Sequence, residues 1–125
     1  MFSDKDVMAT VAVRNLKAAK NFYEQTLGLK LTAKQQQGTA AYQCGSSTLI
    51  IYESTYAGTN KATSATWRAG ADVEEIAKTL KAKGVTFEHY EFPGSTLKGD
   101  VHVMGTHKVA WFKDLDGNIL SIVSG

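Results

Sequence analysis

The residues best suited to acid–base or metal chemistry are concentrated in the second half of the chain. His89, His102 and His107 are its three histidines, and Glu91 and Asp100 lie among them. Imidazole and carboxylate groups act as general bases and as ligands of divalent metals. The two later histidines lack the spacing of a helical metal site, so ordinary loop histidines are the simpler interpretation. Glu91, His102 and His107 are therefore our catalytic candidates, and a metal bound by the two later histidines with Glu91 or Asp100 stays open as an alternative.

Two further patterns are weaker. The run Asp114-Leu-Asp-Gly-Asn118 is partly similar to a calcium-binding loop, but its glycine comes too early and no glutamate ends it. A hairpin turn is the better interpretation. Cys44 lies beside a turn with no clustered base, which does not predict a catalytic thiol.

Composition narrows the function classes. A chain of 125 residues that is 43% apolar suits one domain with an ordinary core. Its net charge is +2 and its lysines are scattered, so no nucleic-acid partner is expected. One cysteine excludes an intrachain disulfide, and no signal-like or membrane-length apolar stretch is present. We expect a cytoplasmic protein with no membrane partner.

Apolar periodicity predicts a first cycle of elements. Val7–Val13 is a buried strand, Asn15 caps the helix that follows, and Gly28 ends that helix. Three further strands are predicted, over Leu29–Gln36, Ala40–Cys44 and Thr48–Glu53.

A second cycle follows a polar linker. Asp72 and Glu75 form a predicted capping box, and Gly84 stops the helix. The stretch Tyr90–His107 is predicted to be a long irregular loop, of the kind that often forms a lid or binding loop. The strands of this cycle are predicted over Ser64–Gly70, Val85–His89, Lys108–Lys113 and Ile119–Val123.

The two cycles repeat one βαβββ unit, which predicts an α+β fold. We expect a single domain, 1–125, made of two tandem modules (7–54 and 64–123) joined by a linker (55–63). Its curved mixed sheet would surround a cleft, with the helices on the outer face.

Several motifs resemble those of a known superfamily. Asn15–Leu29 is similar to the opening pattern, and Ala110–Leu120 to the closing pattern, of the vicinal-oxygen-chelate superfamily, which includes glyoxalases, bleomycin-resistance proteins and extradiol dioxygenases. Leu115 replaces the usual proline. Tyr56–Asn60 and Phe87–Gly94 resemble a bacterial subgroup. The resemblance implies the two-module fold and leaves the activity open.

The resemblance also implies where metal ligands would lie. Superfamily enzymes place histidine or glutamate on the first and last strands of each module, facing the cleft. Carried over, these positions fall on Met8, on Ser64 or Ala65, on Ser121, and among Leu49, Ile50 and Ile51. None of these side chains is a competent ligand, so no metal or other cofactor is expected. Glu53 lies slightly beyond the expected place.

Without a metal, the implied cleft has apolar and aromatic walls with a few hydroxyls, which is typical of a small-molecule site. The aromatic residues could instead fill the core or a dimer interface, and Arg68 could lie at a solvent-exposed edge. The predicted ligand-binding residues are Met8, Thr10, Tyr42, Tyr52, Trp67, Arg68, Trp111 and Ser121.

Three functions remain open. The first is a protein that binds a small hydrophobic or aromatic molecule without a metal. The second is a lyase or dioxygenase of the same superfamily that uses non-standard metal ligands, drawn from Glu53, Glu91, His102 and His107, or a loop-borne base. The third is a structural or interaction subunit. A homodimer is expected with each, because pairing would cover sheet edges.

Overall fold

The computed structural model describes residues 1–32 and 37–125, and it divides the chain into two compact units, Met1–Ala57 and Gly58–Gly125. The boundary lies inside the stretch 55–63 that the sequence marks as a linker. Each unit carries a helix and a mixed sheet, so the predicted α+β class is confirmed. Within these residues, no helix has both the length and the apolar character needed to cross a membrane.

Unit 1 forms a four-stranded sheet with one helix. In the sheet order β1-β4-β3-β2, β1 runs parallel to β4 and the other neighbours are antiparallel. Its elements are β1 (Ala9–Val13), α1 (Leu16–Asn21), β2 (Lys30–Leu31), β3 (Thr39–Cys44) and β4 (Ser47–Glu53).

The helix boundaries of unit 1 follow from local chemistry. The Asn15 side chain accepts a hydrogen bond from the Ala18 N–H, as expected of an N-cap. The helix continues as a π-helical turn over Phe22–Thr26, and Gly28 follows with a φ of +73°. The predicted cap and end are confirmed. Within the predicted strand Leu29–Gln36, Lys30–Leu31 form β2. Residues 33–36 of that prediction lie outside the described part of the chain.

Strand alternation separates the two faces of the unit 1 sheet. Val11, Ile51 and Ala40 are buried and form one cross-strand row on the side of α1. Thr10 with Ile50 forms a row on the opposite side. This assignment decides which side chains α1 covers.

Unit 2 has a more extended sheet. Its order is β5-β10-β9-β8-β7, with β6 also paired to β9, and only β5 and β10 run parallel. Its elements are β5 (Thr63–Arg68), α2 (Val73–Ala82), β6 (Phe87–Glu88), β7 (Thr96–Lys98), β8 (Val101–Met104), β9 (His107–Lys113) and β10 (Ile119–Val123).

Helix α2 covers one side of this sheet. Val73, Ala77 and Leu80 form its buried stripe. An ion pair of 2.8 Å between Lys108 and Glu74 identifies the covered side. By alternation, the same side carries the buried residues Ala110, Phe112, Leu120 and Ile122.

Two predictions for unit 2 are wrong. The stretch Tyr90–His107 is not one irregular loop, because β7 and β8 form a hairpin within it and β8 pairs with β9. Asp72 precedes α2 but makes no capping hydrogen bond through its side chain among the described residues. It ends a 3-10 turn, and its φ and ψ of −94° and 8° are not the extended values from which an N-cap side chain reaches back.

The turn between β9 and β10 is held by its own carboxylate. Asp114 accepts hydrogen bonds from the Asp116 and Asn118 N–H groups and from the Asn118 side-chain amide. Asn118 Oδ1 in turn accepts the Gly58 N–H at 3.2 Å. These bonds engage both carboxylate oxygens of Asp114 with protein donors, which favours the hairpin-turn interpretation over a calcium loop.

Candidate functional site

The side of the unit 2 sheet opposite α2 carries most of the polar and aromatic side chains of interest. We call it the Trp111 face. One cross-strand row on this face contains Thr66, Ser121, Trp111 and Glu88, in that order. The next row contains Arg68, Val123, Val109 and His102. The predicted residues Arg68, Trp111 and Ser121 therefore lie on one surface.

A pair of hydroxyls lies at one end of the first row. Thr66 Oγ1 and Ser121 Oγ are 2.8 Å apart, and Ser121 is only 2% exposed while Thr66 is exposed. One hydroxyl donates to the other, so one O–H remains available as a donor. Sequence reasoning did not select Thr66 as the partner of Ser121.

The reason for that omission is an irregularity in the pairing of β5 with β10, at which Ser64 of β5 is skipped. The pairing with β5 shifts by one residue between Ile119 and Leu120, so Leu120 pairs with Ala65. Ala65 is consequently buried on the α2 side of the sheet, away from Ser121. A β-bulge of this kind leaves no clear sequence signal.

Four rings pack together on the Trp111 face. We call Tyr90, Phe92, His102 and Trp111 the aromatic cluster. Trp111 meets His102 edge-on with ring centroids 4.9 Å apart, and Tyr90 and Phe92 also pack edge-on against Trp111 at 5.2 and 5.9 Å. Phe92 stacks on His102 at 5.8 Å. Such distances are typical of favourable aromatic pairs.

His102 is the buried polar centre of the aromatic cluster. It is 1% exposed, and its Nε2 accepts the backbone N–H of Tyr90 at 3.0 Å. An imidazole nitrogen that accepts carries no proton, so the proton is on Nδ1. Among the described residues, Nδ1 has no hydrogen-bond partner. In this arrangement His102 is enclosed and is not presented to solvent as a base.

A second histidine forms a polar pair at the edge of the aromatic cluster. His89 Nε2 lies 2.8 Å from Asp100 Oδ1, and Lys81 Nζ lies 3.6 Å from Asp100 Oδ2. The imidazole is about half exposed. A carboxylate on one ring nitrogen orients the imidazole and leaves the other nitrogen as a base. Sequence reasoning did not pair these residues, because the hairpin of β7 and β8 brings them together.

The remaining catalytic candidates do not join this pair. Glu91 is exposed, and His107 lies at the start of β9. Within residues 1–32 and 37–125, no three or more His, Cys, Asp or Glu side chains form a group that could hold a metal ion.

In unit 1, two of the predicted residues share a face. Thr10 and Tyr52 both lie on the side of the sheet away from α1, in adjacent cross-strand rows. Met8 precedes β1 and is 50% exposed. These three side chains remain candidates for ligand contact.

Tyr42 lies on the other side. It is fully buried, stacks on Tyr23 at 6.2 Å, and donates its hydroxyl to Glu24 at 2.9 Å. Burial, together with the Glu24 carboxylate, raises the pKa of Tyr42 well above its usual range. The placement separates Tyr42 from Thr10 and Tyr52 and gives it a packing role.

Trp67 is separated from Arg68 in the same way. Trp67 pairs with Ile122 on the α2 side of the unit 2 sheet, whereas Arg68 pairs with Val123 on the Trp111 face and is exposed. Strand alternation makes this separation unavoidable for consecutive residues.

Glu53, the candidate non-standard metal ligand of unit 1, forms a hydrogen bond that stabilises the fold. Its Oε2 accepts the Leu16 N–H at 3.0 Å, at the start of α1. A carboxylate at a helix N-terminus satisfies a free N–H group and interacts favourably with the helix dipole.

Comparison with known proteins identifies the class. Residues 7–122 match the family model of the Glyoxalase/Bleomycin resistance protein/Dioxygenase superfamily, so the chain belongs to that superfamily. The predicted resemblance is confirmed. No curated protein matches the sequence significantly.

Solved structures with the same fold have low sequence identity. FosX, a fosfomycin resistance protein from Listeria monocytogenes, is 16% identical with a TM-score of 0.73, covering 100% of this chain and 95% of its own. Lactoylglutathione lyase from Agrobacterium tumefaciens is 17% identical with a TM-score of 0.71, covering 98% and 95%. An integron cassette protein from the Halifax Harbour sewage outfall metagenome is 16% identical with a TM-score of 0.71, covering 98% and 99%.

The residues at the ligand positions implied by the superfamily do not suit a metal of the superfamily type. The implied ligand positions carry the thioether of Met8, either Ser64 or Ala65 on β5, and the hydroxyl of Ser121, which is hydrogen-bonded to Thr66. The implied position on β4 falls among aliphatic residues. Neither this donor set nor its surroundings suit a divalent cation that prefers imidazole and carboxylate.

Proposed function

We propose that this protein binds a small apolar or aromatic molecule on the Trp111 face of unit 2, without a metal. The observation that carries the proposal is the row in which the Trp111 indole is flanked by the Thr66–Ser121 hydroxyl pair on one side and Glu88 on the other. A large aromatic surface beside a few fixed polar groups is the usual composition of a small-molecule site.

The polar groups on this face indicate which functional groups the ligand would carry. The free O–H of the hydroxyl pair would donate to a carbonyl, ether or phenol oxygen. Arg68, in the neighbouring row, offers a positive charge to an anionic substituent. An aromatic compound with an oxygen substituent matches this surface best.

The first experiment tests both whether the protein binds a compound of the proposed class and whether that binding needs a metal. Chelator-treated protein is screened by thermal shift against aromatic carboxylates, phenols and neutral polycyclic compounds. We expect at least one class to raise the melting temperature in a dose-dependent way, with no change when zinc, nickel, manganese or ferrous iron is added. Stabilisation that requires a metal would overturn the metal-free proposal.

A second candidate function is catalysis by a loop-borne base, and the His89–Asp100 pair is the observation that favours it. The FosX and lactoylglutathione lyase names show that enzymes share the fold, and they leave the reaction of this chain open. Turnover of any bound compound that is lost in His89→Gln but retained in His107→Gln would support an enzyme. Unchanged compound after prolonged incubation would favour simple binding.

We further propose that the protein is a cytoplasmic homodimer. Cys44 is a free cysteine, in keeping with a reducing compartment. Exposed apolar side chains at Met1, Phe2 and Val7 offer surface for a second copy to cover.

A further inference from the structure

The segment Tyr90–Ser95 enters the β7–β8 hairpin after lying against the Trp111 face, and we call it the Tyr90 loop. Its first residue is tied to β8 by the hydrogen bond from the Tyr90 N–H to His102 Nε2. Tyr90 and Phe92 add ring contacts with His102 and Trp111. The position of the loop therefore depends on a nitrogen that can take up a proton.

Only neutral His102 can make this bond. An imidazolium ion carries a proton on both nitrogens, so it donates and cannot accept. Protonation of Nε2 would place two N–H groups against each other and a charge in a site that is 1% exposed. Burying an unpaired charge is strongly unfavourable, so the proton would be taken up by a state in which the ring reaches water.

The described contacts of His102 would do little to stabilise a positive charge on its ring. Its Nδ1 has no partner in the described part of the chain, and its closest ring neighbours, Trp111 and Phe92, do not ionise. The titratable and charged groups on the elements packed against β8 and in the adjoining loops are Glu88 on β6, Lys98 on β7, His107, Lys108 and Lys113 on β9, Glu74, Glu75, Lys78 and Lys81 on α2, and His89, Tyr90, Glu91 and Asp100. Of these, Asp100 is engaged by His89 and Lys81, and Glu88 lies 3.3 Å from Lys113.

We propose that neutral His102 is a latch that holds the Tyr90 loop against Trp111, and that acidification releases the loop. The direction of the pH effect follows from linked proton binding. Because the released state binds a proton that the latched state excludes, lowering the pH shifts the equilibrium toward release. Among the amino acids, histidine is the one whose side-chain charge ordinarily changes between about pH 5 and 8.

Release would alter the ligand site as well. Tyr90 packs edge-on against Trp111, so its departure exposes the indole and removes one wall beside it. Weaker ligand binding in acid is therefore expected, and this consequence alone rests on the proposed function. The latch itself is a property of unit 2 and is tested without a ligand.

The test uses Trp111 as a single fluorophore. The chain has two tryptophans, so Trp67→Phe leaves only Trp111. In this background, His102→Gln offers an amide oxygen that can accept from Tyr90 at every pH, and His102→Phe keeps a ring without an acceptor. His89→Gln is the matched control, because its ring lies 6.1 Å from His102 and can also take up a proton. Emission and the hydrogen-exchange protection of the Tyr90 amide are measured from about pH 8 to about pH 5.

The latch predicts a distinct result for each variant. The parent and His89→Gln should change emission together with a loss of Tyr90 protection of about tenfold or more on acidification. His102→Gln should stay constant over the range, and His102→Phe, if it folds, should show the released signal throughout. Constant Tyr90 protection in the parent, an unaltered transition in His102→Gln, or loss of the transition in His89→Gln would each overturn the proposal.

Discussion

The hydroxyls of Thr66 and Ser121 meet at 2.8 Å across the parallel strands β5 and β10, beside Trp111. The pair is asymmetric, because Ser121 is buried and Thr66 is exposed. Water can replace Ser121 as the partner of Thr66, but it cannot easily replace Thr66 as the partner of Ser121.

The asymmetry predicts unequal effects on stability. Thr66→Val keeps the β-branched shape but leaves the Ser121 hydroxyl without its side-chain partner, and we expect a loss of about 1–3 kcal/mol. Ser121→Ala removes the buried hydroxyl itself and should cost less than Thr66→Val. Urea unfolding of both variants and of the double variant measures the difference. Equal losses in the two single variants would show that the buried hydroxyl does not depend on Thr66.

Gly58 is predicted to be sensitive to substitution for a steric reason. A Cβ at this position would collide with the backbone carbonyl oxygen of Asp116, and Gly58 also has a φ of +73°. Gly28 has the same φ but no atom within 4 Å of its Cβ position, which makes it a matched control. Gly28→Ala should cost about 1 kcal/mol from backbone conformation alone.

The collision at Gly58 must be relieved by moving backbone, so Gly58→Ala should cost several-fold more, about 3 kcal/mol or beyond. Thermal and urea unfolding of the two variants give the comparison. Similar losses in both would mean that the approach of Gly58 to Asp116 is not a constraint on the fold.

The raised pKa of Tyr42 predicts that the free energy of unfolding depends on pH in the alkaline range. Its folded pKa is raised, so its contribution to stability is complete below the ordinary tyrosine pKa of about 10 and is lost as the pH rises above it. Tyr42→Phe should lower the free energy of unfolding by about 1 kcal/mol at neutral pH, because the bond to Glu24 is lost. It should also make that free energy less dependent on pH above about pH 10. A variant with the same alkaline profile as the wild type would contradict this account.

The proposed homodimer is tested by measuring the mass of the protein in solution. Light scattering after size-exclusion chromatography should give about twice the chain mass of 13.5 kDa. Replacing Phe2 and Val7 with serine should shift the mass toward the monomer if the exposed N-terminal side chains are covered by the second copy. A monomer of the wild-type protein at high concentration would contradict the dimer.

Local signals predicted much of the fold. The Asn15 cap, the end of the first helix at Gly28 and the alternation that exposes Thr10 depend on residues close in sequence. The repeated βαβββ pattern and the superfamily motifs were therefore sufficient for the fold class.

The site was harder to predict, because it depends on pairing between distant strands. Tyr42 and Tyr52 both lie on strands, and only the position of α1 decides that Tyr42 is covered. The register shift between β5 and β10 selects Thr66 as the partner of Ser121. The bond from Tyr90 to His102 uses a backbone N–H, which has no side-chain signature.

The most direct test of the central claim compares the two tryptophans. Trp111 lies on the proposed binding face, and Trp67 lies on the α2 side of the same sheet. The affinity of chelator-treated protein for the most stabilising compound of the screen is measured by calorimetry in Trp111→Leu and Trp67→Leu. We predict that Trp111→Leu weakens binding by about tenfold or more, the loss expected for an aromatic anchor, while Trp67→Leu stays within about twofold. Equal affinities of Trp111→Leu and the wild-type protein would contradict binding on this face.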